Sequence, residues 1–324
     1  MKTNEMPMTL PDREAKKVDR GNLVKTLTPF LGIIIVFVLF SVSTGGKFIA
    51  ISNLQLIVLQ SVITIVGGIG TTFVMSHGNL DFSQGGTVAL SAVAGYFAST
   101  VNPALVLPVC IMVGVLCSSA VAVVHIVCRV PAFIVGLCIM FIGRGVAGAM
   151  FEKTSMIAPA SFMDLDNIQF FAIVLIVTFV VAYIIFDYTK VGKYNRAIGS
   201  NERAARLSGV PVNLYKYLAF LISGITLGLC AFLSMIRAGG VTGNTGSMFE
   251  TDILIALVLG GMSISGGSSS KMRSIVIGAF ILMMLGNGLI LWGVDPNLIN
   301  AVRGIVFLAA VVLTYDRSSN QMVS

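Results

Sequence analysis

Apolar runs of about twenty residues, repeated along the chain, constrain the fold more than any other feature of the sequence. A helix needs roughly 20 mostly apolar residues to cross the hydrocarbon core of a bilayer. The eighth run is too short to cross alone unless its flanks extend it. The runs predict an all-α polytopic membrane protein with about ten spans, which in chain order are Leu27–Thr44, Leu54–Ser76, Gln84–Val101, Ala104–Val127, Ala132–Met150, Ile168–Phe186, Tyr217–Ile236, Ile253–Ile264, Ser274–Trp292 and Leu298–Thr314.

Charged residues are scarce between these runs. They make up 11% of the chain, and the mean hydropathy is +0.94, whereas a soluble domain carries roughly a quarter of charged residues. So few charges exclude a soluble protein with a large core, because they would not cover its surface. The cysteines lie in apolar runs without a C-x-x-C pair, so we expect free thiols at lipid depth that act as small hydrophobes rather than a metal or redox site; they are Cys110, Cys117, Cys128, Cys138 and Cys230.

The basic residues indicate the orientation. If the N-terminus is cytoplasmic and the spans alternate, 16 of the 21 Lys and Arg residues face the cytoplasm, as the positive-inside rule requires. Both termini are then cytoplasmic in a cell membrane. The net charge of +7 reports this orientation rather than nucleic-acid binding. We predict a tail at 1–26, a transmembrane domain at 27–315 with a cytoplasmic loop at 187–216, and a tail at 316–324.

Similar short segments precede corresponding spans in the two halves of the chain. Pro131–Gly136 precedes span five and Pro296–Asn300 precedes span ten, while the acidic segments Gly78–Gly86 and Gly246–Asp252 precede spans three and eight. The offset is five spans in each case. Because five is odd, the halves would form an inverted 5+5 repeat, as in many transporters. The alternative is that prolines and glycines lie at these loop ends by chance.

A polar segment in the cytoplasmic loop has the signals of a short helix at both of its ends. Ser200 or Asn201 can cap it, Glu202 lies in its first turn, Arg206 lies near its end, and Gly209 favours termination. About eight helical residues would be about 12 Å long, too short to be stable alone. Either the segment lies on the membrane surface as an ordinary loop, or it fits a groove on a cytosolic partner. It consists of Gly199, Ser200, Asn201, Glu202, Arg203, Ala204, Ala205, Arg206, Leu207, Ser208 and Gly209.

This segment carries a resemblance to a known family. Residues 192–210, GKYNRAIGSNERAARLSGV, resemble the cytoplasmic signature of ribose-type ABC sugar permeases, in the superfamily that also includes branched-chain amino-acid permeases. The similarity continues in residues 250–267, 80–85, 131–134 and 144–145, and it covers most of the chain after about Gly21. Phe82, Gln84 and the aliphatic residues of span eight depart from the pattern, which bears on the identity of the sugar.

The resemblance implies a transport subunit rather than an enzyme. Such a permease translocates a monosaccharide, such as a ribose-like pentose, that an extracytoplasmic binding protein delivers. It pairs with a second permease subunit, either a second copy or a related chain, and with two cytosolic ATPase subunits that hold the ATP and Mg²⁺. The helix at 199–209 would then be the coupling helix that sits in an ATPase cleft. The chain itself needs no cofactor.

Six polar residues are candidates for the translocation path, and most have an alternative role. Arg144 is costly inside a membrane unless it faces protein or water, or its side chain can extend to the outer surface. Glu250 and Asp252 either cap span eight or face the binding protein. Asn287 and Trp292 either contact sugar or serve interhelical hydrogen bonding and the interfacial aromatic belt. The set is Asp81, Arg144, Glu250, Asp252, Asn287 and Trp292.

Other functions need features that the sequence lacks. An importer for nucleosides or another small polar solute is the nearest alternative, because such importers have related permeases. An ion-coupled secondary transporter would need titratable acids within the spans, and a membrane enzyme would need a nucleophile with a base or a metal site. Residues 266–271, GGSSSK, do not match the P-loop pattern. The glycine pairs at 67–68 and 260–261 are instead expected to permit close backbone packing between helices.

Overall fold

The computed structural model describes residues 20–154 and 156–314, and this part of the chain is almost entirely helical. Its only β pairing is an isolated antiparallel bridge between Ile157 and Gly240. Short 3₁₀ turns cover Pro103–Leu105 and Ala160–Leu165, and a π-helical turn covers Ile184–Tyr188. The α-helices are α1 (Arg20–Ser43), α2 (Ile51–Ser76), α3 (Gln84–Val101), α4 (Val106–Val127), α5 (Ala132–Lys153), α6 (Ile168–Tyr183), α7 (Lys190–Ser200), α8 (Glu202–Leu207), α9 (Val212–Ala238), α10 (Phe249–Leu259), α11 (Arg273–Leu291) and α12 (Pro296–Thr314).

Each predicted span coincides with a helix in the described part of the chain. The two further helices, α7 and α8, lie in the loop predicted at 187–216. Among the described residues, six helices are long and apolar enough to cross a membrane: α2, α4, α5, α6, α9 and α11. The protein is therefore a polytopic, all-α membrane protein. The predicted tail at 316–324, and residues 1–19 of the predicted tail at 1–26, lie outside the described residues.

Helix α10 differs most from its predicted span. The prediction was Ile253–Ile264, whereas the helix covers Phe249–Leu259. It begins earlier because the acidic residues of its first turn are neutralised by arginines, and it ends where Gly261 takes a φ of +85°, which suits glycine. Its 11 residues extend about 16 Å, only half of a hydrocarbon core that is about 30 Å thick.

Three helices form the centre of the molecule. Helices α2, α9 and α11 are largely buried, whereas α4, α5 and α6 leave most of their surface open. The buried residues of α2 include Phe73, Ile65 and Ile69, all fully enclosed. The peripheral helices expose large aliphatic side chains such as Ile142 and Ile176. Such a surface is suited to lipid or to a partner subunit rather than to water.

Glycines set the closest approaches between these helices. A side chain at Gly114 of α4 would collide with the backbone of α9 at Gly224 and Gly228, so these two helices pack backbone to backbone, as small residues allow in membranes. Gly260 lies against the backbone of Ser274, which confirms its predicted packing role. Residues 67–68 differ from that prediction, since they accommodate the side chains of Phe249 and Ile275 rather than another backbone.

The first turns of α3 and α10 are in contact. A side chain at Gly85 would overlap the Gly246 carbonyl and the Glu250 carboxylate, and one at Gly246 would overlap the carbonyl of Gly85. Met248, the N-cap residue of α10, has a φ of +58°, which turns the chain sharply into the helix. The first turns of two shorter helices therefore pack against each other inside the protein.

Candidate functional site

The segment at 187–216 is anchored to the end of α6 by Arg196. Its guanidinium donates hydrogen bonds to Asp187 Oδ1 at 2.9 Å and to the Phe186 carbonyl at 3.2 Å. It also lies 4.9 Å from the centre of the Phe186 ring. Gly192 packs so closely on the Phe186 backbone that a side chain would not fit. Helix α7 is thus held at a fixed angle to the membrane helix that precedes it.

The predicted coupling helix is shorter than expected. Gly199 and Ser200 belong to the end of α7, and α8 has six residues, Glu202–Leu207, rather than about eight. The reason is Asn201, whose extended backbone (φ −162°) breaks the helix. Its side chain accepts a hydrogen bond from Ala204 N at 3.0 Å, so Asn201 is the cap. Ser200 Oγ instead accepts a hydrogen bond from Ser268 N at 3.0 Å.

The end of α8 follows the prediction. Gly209 adopts a φ of +80°, and Val210 N donates to the Ala205 carbonyl at 3.1 Å, which is a glycine-based helix stop. Beneath the helix, Ala205 is buried with Ile198 and Val212 in a small apolar cluster. These contacts stabilise a helix that is too short to be stable in isolation.

Glu202 ties α8 to α9. Its carboxylate accepts a hydrogen bond from Lys216 Nζ at 2.8 Å and one from Arg206 at 3.1 Å. These bonds, first of all the one from Lys216, hold the pKa of Glu202 below its usual value. Lys216 is mostly buried, while Arg206 is 61% exposed. The Lys216 bond therefore contributes more to stability than the Arg206 bond, because exposed pairs on a helix surface contribute little.

The outer face of α8 is open to solvent. Leu207 is 89% exposed, which is unusual for a leucine on an ordered helix outside the membrane. Arg203 and Ala204 are exposed beside it. The segment therefore presents an apolar side chain with flanking positive charge, held on a rigid base.

The end of α7 joins two other loops. A side chain at Gly199 would collide with the Ser76 carbonyl at the end of α2 and with the backbone of Gly267. Gly267 N donates a hydrogen bond to that Ser76 carbonyl at 2.9 Å. The glycine-rich loop at 266–270 thus connects α7 to the end of α2. These contacts link the end of α7 directly to the end of α2.

Two ion pairs meet in the first turn of α10. Arg144 of α5 lies 2.9 Å from Glu250, and Arg303 of α12 lies 3.0 Å from Asp252. Arg144 also donates to the Gly246 carbonyl at 3.1 Å. The Arg144 guanidinium therefore faces protein rather than extending to the surface. Neither acidic residue is the N-cap, which is Met248.

A small cavity opens beside Arg144. Its volume is about 130 Å³. Helix α5 forms one wall and the loop before α10 forms the other, and the loop contributes hydroxyl groups. The lining residues are Ala89, Arg144, Ala147, Gly148, Val241, Thr242, Gly243, Thr245 and Ser247. The arrangement places a guanidinium and three hydroxyl groups around a small cavity.

Asp81 lies apart from the cavity lining. It is 1% exposed, and its carboxylate accepts hydrogen bonds from Ser83 N at 2.8 Å and Ser83 Oγ at 3.0 Å. Gly136 of α5 leaves the space that this carboxylate occupies. Asp81 thus shapes the turn that starts α3, and a place on the translocation path stays a prediction.

Asn287 and Trp292 make hydrogen bonds between helices. Asn287 and Asn53 exchange two amide hydrogen bonds, each of 2.9 Å. Trp292 Nε1 donates to Ser43 Oγ at 2.9 Å, and its ring lies 4.7 Å from that of Phe40. The structure therefore shows the interhelical alternative for both residues, and contact with sugar stays a prediction. Neither Asn287 nor Trp292 lines the cavity beside Arg144.

Two polar connections between elements were not predicted from the sequence. Asn79 lies 3.1 Å from both His77 and His125, which joins the ends of α2 and α4. The Lys216 partner of Glu202 was also missed, because 14 residues separate the two. No local spacing could reveal the contact of Asn79 with His125 or that of Glu202 with Lys216. The five cysteines are free, as predicted; Cys110 and Cys230 are buried, whereas Cys128 and Cys138 are exposed.

Comparison with known proteins matches most of the chain. The model of the family described as the branched-chain amino acid transport system / permease component matches residues 53–311. The ribose import permease of Bacillus subtilis is 29% identical over 98% of this chain and 100% of its own length. The ribose import permease of Escherichia coli K12 is 29% identical over 82% of this chain and 87% of its own length.

A galactose/methyl galactoside import permease of Escherichia coli K12 is 28% identical over 87% of this chain and 91% of its own length. No solved structure matches the chain. The family match covers well over half of the sequence and includes every helix that contributes to the two ion pairs. The chain is therefore a transport subunit rather than an enzyme, and it belongs to the branched-chain amino acid transport system / permease component family.

Proposed function

We propose that the chain is the membrane subunit of an ATP-binding-cassette importer and translocates a monosaccharide, such as a ribose-like pentose. The family membership carries this proposal, since relatives named as ribose and galactose permeases align along most of the chain. A binding protein outside the membrane would deliver the sugar. Cytosolic subunits would bind and hydrolyse ATP with Mg²⁺.

Helix α8 is the proposed contact with the ATPase. Its exposed Leu207 would enter an apolar pocket of the ATPase cleft, and Arg203 and Arg206 would set the register. The remaining residues of 199–209 hold the helix in place. The chain of contacts from Gly199 through Ser76 to α2 would then carry the ATP-driven movement into the membrane helices.

The topology that we infer has ten spans with both termini in the cytoplasm and an inverted 5+5 repeat. The contact between the first turns of α3 and α10 supports it. In this topology α3 starts from the cytoplasmic side and α10 from the outer side. Helices that start on opposite sides can meet at their first turns only within the membrane. Half-helices that meet at this depth occur at the substrate sites of inverted-repeat transporters.

The second permease subunit would pack on α5. Gly145 and Gly148 have open space where a side chain would lie, and three residues of separation place them on one helix face. Small residues on one face allow two membrane helices to approach closely. The cavity beside Arg144 lies along the same helix, so a second copy would close the cavity and place a sugar between two subunits.

Sugar uptake tests this function. The chain would be expressed with its ATPase and binding protein in cells that lack their own pentose and hexose importers. We expect labelled ribose, or a related monosaccharide, to be taken up, and unlabelled nucleosides in excess to leave the rate unchanged. Replacement of the catalytic glutamate of the ATPase should abolish uptake. Uptake of nucleosides instead would favour the alternative importer, and uptake driven by an ion gradient without ATP would contradict the proposal.

A further inference from the structure

An apolar groove runs along the outer surface of the helix bundle between α1, α6 and α11. Its volume is about 330 Å³. Helix α1 packs on α11 and α6 packs on α2, which leaves the space between them unfilled. The residues that line the groove are Phe30, Leu175, Ile176, Phe179, Val180, Arg273, Val276 and Ile277.

Arg273 is the charged residue of this lining. It is the first residue of α11 and is exposed. Its guanidinium lies 6.0 Å from the centre of the Phe30 ring. Within the described part of the chain, none of the ion pairs or side-chain hydrogen bonds involves it. An arginine beside an apolar groove is thus left with its hydrogen-bond donors available.

Aromatic residues indicate the depth of the groove in the membrane. Phe179 lines the groove and stacks on Tyr183, with ring centres 6.1 Å apart. Tyr183 in turn contacts Tyr188 at 6.0 Å, and both tyrosines are exposed. Exposed tyrosines collect at the level of the lipid headgroups. Arg273 therefore lies at headgroup depth, and the apolar lining lies at the depth of the acyl chains.

We propose that this groove is a binding site for one anionic phospholipid of the cytoplasmic leaflet. The Arg273 guanidinium would hold the phosphate through paired hydrogen bonds, and an acyl chain would lie against Ile176, Val276 and Ile277. Charge complementarity selects this occupant, because an unpaired arginine next to an apolar groove matches both parts of the lipid. The site is separate from the Arg144 cavity and from α8, so it does not depend on the identity of the sugar.

Native mass spectrometry of the full chain tests the site. The delipidated protein would be titrated with phosphatidylglycerol and, separately, with phosphatidylcholine of the same acyl chains. One basic residue near the headgroups contributes about a fivefold preference for the anionic lipid. We therefore expect this preference in the wild type and its loss in Arg273→Gln. The matched control is Arg129→Gln, which removes an exposed cytoplasmic charge at the end of α4 and should keep the preference.

A second variant tests the groove itself. Ile176 is 60% exposed, so Ile176→Trp would fill the groove without disturbing the core, and we expect weaker binding of both lipids. Equal binding of the two lipids by the wild type would overturn the proposal, as would an unchanged preference in Arg273→Gln. If a preference appears only after removal of residues 2–19, the N-terminal segment is the occupant and the proposal is also overturned.

Discussion

The ion pairs of α10 show how single arginines allow the first turn of a helix to carry two acidic residues inside the protein. Glu250 has a side chain that is 7% exposed, while its partner Arg144 is 32% exposed. The desolvation cost of such a pair is offset only while both partners are present. Loss of the two residues should therefore differ in cost, since loss of the arginine leaves the more deeply buried charge without a partner.

Thermal denaturation of the detergent-solubilised protein can measure this asymmetry. We expect Arg144→Met to destabilise the fold by about 3 kcal/mol, because breaking a buried pair leaves an uncompensated charge. Glu250→Gln should cost less, and the double variant should be more stable than Arg144→Met alone. Arg237→Met serves as a control, since its pair with Asp166 is partly exposed on both sides. Equal losses for the two single variants would contradict this account of the pair.

At the scale of elements, α8 is a small helix that other elements hold in place. Asn201 caps it, Gly209 ends it, and Lys216 of α9 fixes its first turn through Glu202. Because the pKa of Glu202 is lowered, this contribution to stability is present at neutral pH and is lost as the pH falls through the range in which Glu202 protonates. What remains exposed is the face around Leu207, which is the proposed contact with the ATPase.

Affinity for the ATPase subunit tests that face. Leu207→Asn should weaken binding by roughly tenfold or more, since burial of a leucine contributes about 1.5–3 kcal/mol. Thermal stability should not change, because Leu207 is already 89% exposed. Leu214→Asn is the matched control, a 51% exposed leucine near the start of α9, and it should bind normally. Unchanged affinity in Leu207→Asn would remove α8 from the interface.

The sequence predicts these elements to different degrees. Apolar runs locate the membrane helices because the bilayer fixes their length, and cap signals locate α8 to within two or three residues. The sequence left the cap open between Ser200 and Asn201, since both are good caps. The structure selects Asn201, while Ser200 Oγ accepts a hydrogen bond from the distant Ser268. The pairing of Arg144 with Glu250 could not be predicted from the sequence, because it joins residues 106 positions apart.

At the scale of the whole molecule, the peripheral helices differ in the side chains that they expose, and therefore in what can pack on them. Helix α6 exposes bulky aliphatic side chains such as Ile173 and Val177, as a lipid-facing helix does. Helix α5 exposes Gly145 and Gly148, which leave room for another backbone. The first surface fits lipid and the second fits a subunit.

Light scattering in detergent measures the consequence for assembly. We expect the wild type to be a pair of chains, and we expect Gly145→Leu to be a single chain, because the added side chain separates the facing helices. Ile173→Phe adds bulk on α6 instead and should remain paired. If Gly145→Leu remains paired, the subunits meet elsewhere. A wild type that pairs only with a related chain would favour the heterodimer.

The length of α10 also has a consequence for how the protein is made. A segment of about 16 Å that starts with two acidic residues would not enter a bilayer from the translocon on its own. Arg144 is synthesised 106 residues before Glu250, so it has no partner until Glu250 has been synthesised. We therefore expect insertion of α10 to depend on α5, which supplies Arg144, and on α12, which supplies Arg303. In this view the helices insert one after another, and the short helix α10 enters the membrane by packing against helices that are already there.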